Sequence, residues 1–169
     1  MMAVVVLTDE RRDGETADIS DPGDVSVLIV DDQAPFRAVA RTVVDLVAGF
    51  VVVGEAPSGE DAVAMAAELH PALVLMDINL PGISGIDALR ILVNDPATAH
   101  IPVIALSANA IPRDIEKGLQ AGFFRYLTKP IKVDEFMVTL DLALQFALAH
   151  PARAAGLSRS VRHRTDRSR

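Results

Sequence analysis

The chain has 169 residues, with 16 Lys and Arg against 23 Asp and Glu, a net charge of −7, half of its residues hydrophobic, and neither Cys nor Trp. That length suits one domain with tails, and the apolar half excludes wholesale disorder. Without cysteine there is no disulfide framework, thiolate zinc site or thiol nucleophile, and the acidic balance argues against general nucleic-acid affinity.

Residues 1–24 carry seven acids against Arg11 and Arg12 and read as a disordered acidic leader. The opening Met1–Leu7 is too short an apolar run, and lacks the basic flank, for a signal peptide. No stretch reaches the roughly 18–20 apolar residues of a membrane span, and the chain reads as cytosolic. The histidines, His70, His100, His150 and His163, lie far apart, so a histidine-based metal site is not expected.

From residue 25 a strand–helix alternation begins. Val25–Val30, Ala72–Met76 and Pro102–Leu106 are continuous apolar runs, and Phe50–Val53 and Phe123–Leu127 are shorter ones. Runs apolar on both faces mark strands buried on both sides of a sheet. The first helix carries Phe36, Val39, Ala40, Val43, Val44 and Val47 at helical spacing, and the second Ala62, Met65, Ala66 and Leu69 behind a Ser58 cap. A third starts at Ser84 or Gly85 and presents Ile86, Leu89 and Val93. The fourth, about Pro112–Ala121, is short and polar, with Ile115 and Leu119 alone to dock it, and Gly122 closes it. The fifth presents Val133, Phe136, Met137, Leu140 and Leu144. At Phe123-Phe124, Phe124 is expected in the core, and only one of the two needs to face out.

Five such units imply a doubly wound parallel α/β sheet with right-handed crossovers. A dinucleotide-binding fold would show G-x-G-x-x-G after its first strand, where this chain has Asp31-Asp32-Gln33-Ala34-Pro35. A flavodoxin-like sheet remains. From residue 151 the Arg/Ser-rich end, six Arg against Asp166, reads as a solvated basic tail rather than a handle for nucleic acid or an acidic partner.

Sites in open α/β sheets lie at the carboxyl ends of the strands. There stand Asp31 and Asp32, Asp77, Ser107, and Lys129 with Pro130. Gly54-Glu55, on an edge strand, is expected away from that rim. Taken singly, each is an ordinary turn residue or a solvated charge. Together, three carboxylates, a hydroxyl and an ammonium on one rim form an oxygen-only site suited to Mg2+ or Mn2+. A cation and Lys129 flanking Asp77 would seat a phosphoryl group on that carboxylate as nucleophile.

The segments V-L-I-V-D-D-Q, V-L-M-D-I-N-L-P-G-I-S-G, P-V-I-A-L-S-A-N-A and Y-L-T-K-P resemble the receiver domain of two-component response regulators, over residues 25–149. The stretch from Asp77 to Leu148 especially resembles receivers attached to hybrid sensor histidine kinases. The resemblance implies a (βα)5 fold with strand order 2-1-3-4-5. It implies Asp77 as acceptor of a phosphoryl group from a phosphohistidine on a sensor kinase or phosphotransfer protein. Mg2+ would be held by Asp32 directly, by Asp31 through water, by Asp77, and by the backbone carbonyl of Asn79. Lys129 would neutralise the phosphoryl oxygens, with a cis bond to Pro130. Ser107 would bond the phosphoryl group, and Tyr126 would turn inward as the loop after the fourth strand moves. The small Ala108 would leave the site open, and Asn79 and Asn109 would stand near the attack path.

The output surface would be the face of the fourth helix, fifth strand and fifth helix, turned toward a protein target. No kinase core or DNA-binding domain is expected, and the chain would be a monomer or weak dimer. Acting as a diffusible regulator or as a relay intermediate stays open. Two other readings compete. A Mg2+-dependent phosphoaspartate phosphohydrolase would need an acid two residues after the nucleophile, where Asn79 stands. A phosphate-independent interaction module would normally have lost one of the acids or the lysine, and all are present.

Overall fold

The computed structural model describes residues 23–149, so the expected leader up to residue 22 and the tail from residue 150 lie outside the described residues. In chain order the elements are β1 (Val25–Val30), α1 (Ala34–Asp45), β2 (Phe50–Ala56), α2 (Gly59–Leu69) and β3 (Leu73–Asp77). They continue as α3 (Gly85–Asn94), β4 (Val103–Ser107), α4 (Pro112–Ala121), β5 (Arg125–Thr128) and α5 (Val133–Ala149). The five strands form one parallel sheet of order β2-β1-β3-β4-β5, the flavodoxin-like topology.

Alternate residues of each strand point to opposite faces, and this divides the core in two. Val27 and Ile29 of β1 join Leu73, Leu75, Ile104 and Leu106 under α1 and α5, where Ala40, Val44, Phe136 and Leu140 close the layer. Leu28 and Val30 join Val74, Met76 and Ala105 on the other face, under Ala62 and Ala66 of α2 and Ala88, Leu89 and Leu92 of α3. Phe123 and Phe124 divide likewise, Phe123 buried on the second face and Phe124 packed on the first against Phe146 at 5.2 Å. Both rings therefore pack, and neither is left outside.

β1 matches its apolar run, and the other four strands end further along the chain than theirs. Asp77 and Ser107 are the last residues of β3 and β4, held in the ladder opposite Leu106 and Thr128. In β2, Val27 pairs with Val52 but Leu28 pairs with Gly54, so Val53 is an extra residue that bulges. The strand then runs on to Ala56, and Glu55 comes level with Ile29.

The helices begin where their caps place them. Ser58 accepts from the Asp61 N–H and Ser84 from the Asp87 N–H, each at 3.1 Å. Gly122, at φ 113°, ends α4 in the left-handed conformation that its missing Cβ permits. The inward stripes are narrower than the apolar ones. Val39 on α1, Val93 on α3, and Val133 and Met137 on α5 are exposed, with Leu92 rather than Val93 facing the sheet. On α4 the expected anchor Leu119 is 45% exposed, and Gly118 is the helix's buried residue. Its bare backbone lies against the Tyr126 ring, which a Cβ would approach to 3.2 Å.

Candidate phosphoacceptor and metal site

β1 and β3 are neighbours whose following helices cover opposite faces, and their carboxyl ends open a crevice. Asp31 follows β1 and is fully buried; Asp32 beside it is exposed; Asp77 ends β3 and is 4% exposed. One carboxylate oxygen from each lies within 4.8 Å of the other two. At such a distance two like charges repel by about 3–4 kcal/mol in a near-surface environment, so the trio needs positive charge.

Lys129 supplies part of it. Its Nζ donates to Asp31 Oδ2 at 2.5 Å and to Asp77 Oδ2 at 3.0 Å, and rests 4.1 Å from the Phe36 ring centroid. Burial pushes this ammonium's pKa down, but the hydrogen bonds and charges of Asp31 and Asp77 outweigh it and hold the pKa above the usual lysine value. The peptide bond between Lys129 and Pro130 is cis. The remaining oxygens are oriented by the backbone: Asp31 Oδ1 accepts the Gln33 N–H at 2.8 Å, and Asp77 Oδ1 the Asn79 N–H at 3.1 Å.

One ammonium against three carboxylates leaves an excess of two negative charges. With oxygen donors only and Asp32 open to solvent, the trio fits a hard divalent cation such as Mg2+ or Mn2+. Among the described residues it is the one cluster of three or more metal-capable side chains.

Ser107, at the end of β4, is buried, and its Oγ accepts the Asn109 N–H at 3.1 Å. The Tyr126 hydroxyl donates to the Asn109 carbonyl at 3.1 Å. A single residue of the β4–α4 loop thus joins the strand-end hydroxyl to the half-buried tyrosine. Ala108 and Asn109 are exposed, as is Asn79.

Sequence reasoning missed three supports of this rim. Gly85 starts α3 directly over the end of β3, and a Cβ there would stand 2.2 Å from the Asp77 carbonyl oxygen. Phe36, counted as a core residue, offers its face to Lys129. Glu55, expected to lie apart, is not a ligand but pairs with Arg37 and Arg41, and Arg37 reaches the Asp31 carbonyl. The bulge at Val53 is what brings it there, and strand alternation alone does not reveal a bulge.

No helix among the described residues is long and apolar enough to cross a membrane. The chain matches the family model for the response regulator receiver domain over residues 27–141. It is 38% identical over 115 residues to the polar-differentiation response regulator DivK of Brucella ovis, covering 68% of this chain and 92% of that one. Its fold superposes on the response regulator domain of Thermotoga maritima CheB with a TM-score of 0.66 and 30% identity, over 72% of this chain and 97% of that one. On a response regulator from Desulfuromonas acetoxidans it gives a TM-score of 0.64 and 31% identity, over 71% and 96%. The chain belongs to the response regulator receiver domain family of two-component systems.

Proposed function

We propose that the chain is a phosphoacceptor switch, in which Asp77 takes a phosphoryl group from a phosphohistidine on a sensor histidine kinase or a histidine phosphotransfer protein. The observation that carries this reading is the gathering of Asp31, Asp32 and Asp77 around one point, with Lys129 bonded to two of them. A carboxylate oxygen of Asp77 attacks phosphorus. The P–N bond breaks, and its electron pair leaves on the imidazole nitrogen, which takes up a proton. Asp31, Asp32, Asp77 and the Asn79 carbonyl would hold Mg2+, whose charge offsets that of the phosphoryl oxygens. The Lys129 ammonium, already bonded to Asp77, follows those oxygens as they arrive.

The product carries close to one further negative charge and three new acceptor oxygens. Ser107, turning to donate its hydroxyl to one of them, would loosen its hold on the Asn109 N–H. Asn109 also carries the carbonyl that receives Tyr126, so the loop and the ring against Gly118 of α4 move together. The face built by α4, β5 and α5 is then the surface read by a protein target or relay partner. Phosphohydrolase chemistry finds no support in the site, since Asn79 has no acidic proton to give a leaving group. The chain is a phosphoacceptor that assists its own modification rather than an enzyme.

The test uses phosphoramidate, a small-molecule P–N donor, with Mg2+. An acyl phosphate is cleaved by hydroxylamine and a serine phosphate is not. Label that hydroxylamine removes, and that Asp77→Asn never acquires, is the expected result. Hydroxylamine-resistant label, or label retained in Asp77→Asn, would overturn the assignment.

A further inference from the structure

Asp32 is the exposed member of the trio, and nothing in its own side chain's surroundings accounts for its aim. Its backbone does. The peptide joining Asp31 to Asp32 is gripped by Arg37, whose Nη1 donates to the Asp31 carbonyl at 2.7 Å. The peptide before it is held as well, the Asp31 N–H donating to the Ala56 carbonyl of β2 at 3.1 Å. Glu55, the residue before Ala56, accepts Arg37 Nε on Oε2 at 3.3 Å and Arg41 Nε on Oε1 at 2.5 Å. The result is a closed ring, from Asp31 to β2, through Glu55 to Arg37 and back to Asp31. The Arg37 side chain is 17% exposed, so this is not a fully solvated surface pair.

We propose that Arg37 is a positioning residue of the acidic site, which fixes the Asp31–Asp32 peptide through the Asp31 carbonyl and so sets the affinity of the trio for a divalent cation. Glu55 has the complementary task. An arginine beside three carboxylates would otherwise turn its fork onto them and compete with a cation, and Glu55 holds that fork on the carbonyl instead. Arg41 shares Glu55 and keeps it from carrying an unmatched charge. A lysine at position 37 would keep the charge but, as a point donor, could not span both the carbonyl and Glu55.

This inference rests on the cation-site reading above, and the experiment separates the two. Mg2+ affinity is measured by titration calorimetry at fixed ionic strength on the full chain, with metal-free thermal melting as the folding control. The variants are Arg37→Met, Arg37→Lys, Glu55→Gln, Arg41→Met and Asp32→Asn. Both Arg37 variants are expected to weaken Mg2+ binding by about three- to tenfold, the net worth of roughly one ordinary hydrogen bond. Glu55→Gln should shift in the same direction by less, and Arg41→Met should stay within about twofold, because its charge lies a turn further along α1. Simple charge removal acts the other way, since losing a cation near the site tightens Mg2+ binding. Tighter or unchanged binding in Arg37→Met, or an equal loss in Arg41→Met, overturns the proposal. A lower melting temperature with unchanged Mg2+ affinity makes Arg37 merely structural, which also overturns it. If Arg37→Met does not fold, Arg37→Lys, which keeps the charge and loses the fork, decides on the same readout. If the wild type binds no Mg2+, or Asp32→Asn binds as well as wild type, the cation-site reading fails, and this inference with it.

Discussion

At Lys129 burial and charge act in opposite directions, and the neighbouring carboxylates win. Because the folded pKa lies above an unfolded value of about 10.4, the stabilisation is complete below that value and is lost as pH rises through the folded one. Lys129→Met leaves Asp31 and Asp77, both buried, facing each other without a counter-charge, which costs about 3–5 kcal/mol. Melting curves of both proteins should therefore differ by a constant amount from pH 7 to about 10 and converge above; convergence between pH 7 and 9 would contradict this. The five rim residues Asp31, Asp32, Asp77, Ser107 and Lys129 were legible because each ends or follows an apolar run. Arg37 and Glu55 were not, since their meeting depends on a one-residue bulge and on two side chains crossing between α1 and β2.

Elements stand where apolar runs and caps put them, but the tightest element contact is written in a glycine. Gly85→Ala would press a methyl group onto the Asp77 carbonyl, and α3 must lift to relieve it. The expected loss is about 1–3 kcal/mol by denaturant unfolding, together with slower phosphorylation, because the strand end carrying Asp77 moves. Ser84→Ala removes the N-cap bond and the hydroxyl's donation to Asp87 Oδ2, and should cost about 1 kcal/mol with phosphorylation unchanged. Equal effects of the two on phosphorylation would show that α3 does not position the acceptor. Apolar periodicity overstated how much of each helix is buried, since a stripe that includes Val39, Val93 or Leu119 is wider than the strip of sheet available beneath it. Helix α4 shows the limit most clearly: its apolar side chains face largely outward, and it approaches the sheet through the absence of a side chain at Gly118.

Across the whole molecule, stability is graded from the sheet outward. β3 and β4 are buried along their full length, and β1 is nearly so, whereas α4 buries Gly118 alone. Amide exchange should be slowest in β1, β3 and β4 and fastest, among the helices, in α4; an α4 as protected as α3 would remove it as the responsive element. The strand order was legible through family resemblance, while the coupling of Ser107 to Tyr126 through Asn109 required the structure, because all three meet only once β4 and β5 pair. The rim and the graded stability together describe a firmly packed sheet that carries Asp77 and Lys129 at one end beside one loosely held helix. The most direct measurement is intact mass after incubation with acetyl phosphate, with and without Mg2+, for wild type and Asp77→Ala. One added phosphate is expected, on the wild type and only with Mg2+. A folded wild type that gains none, or an Asp77→Ala variant that gains one, would contradict it.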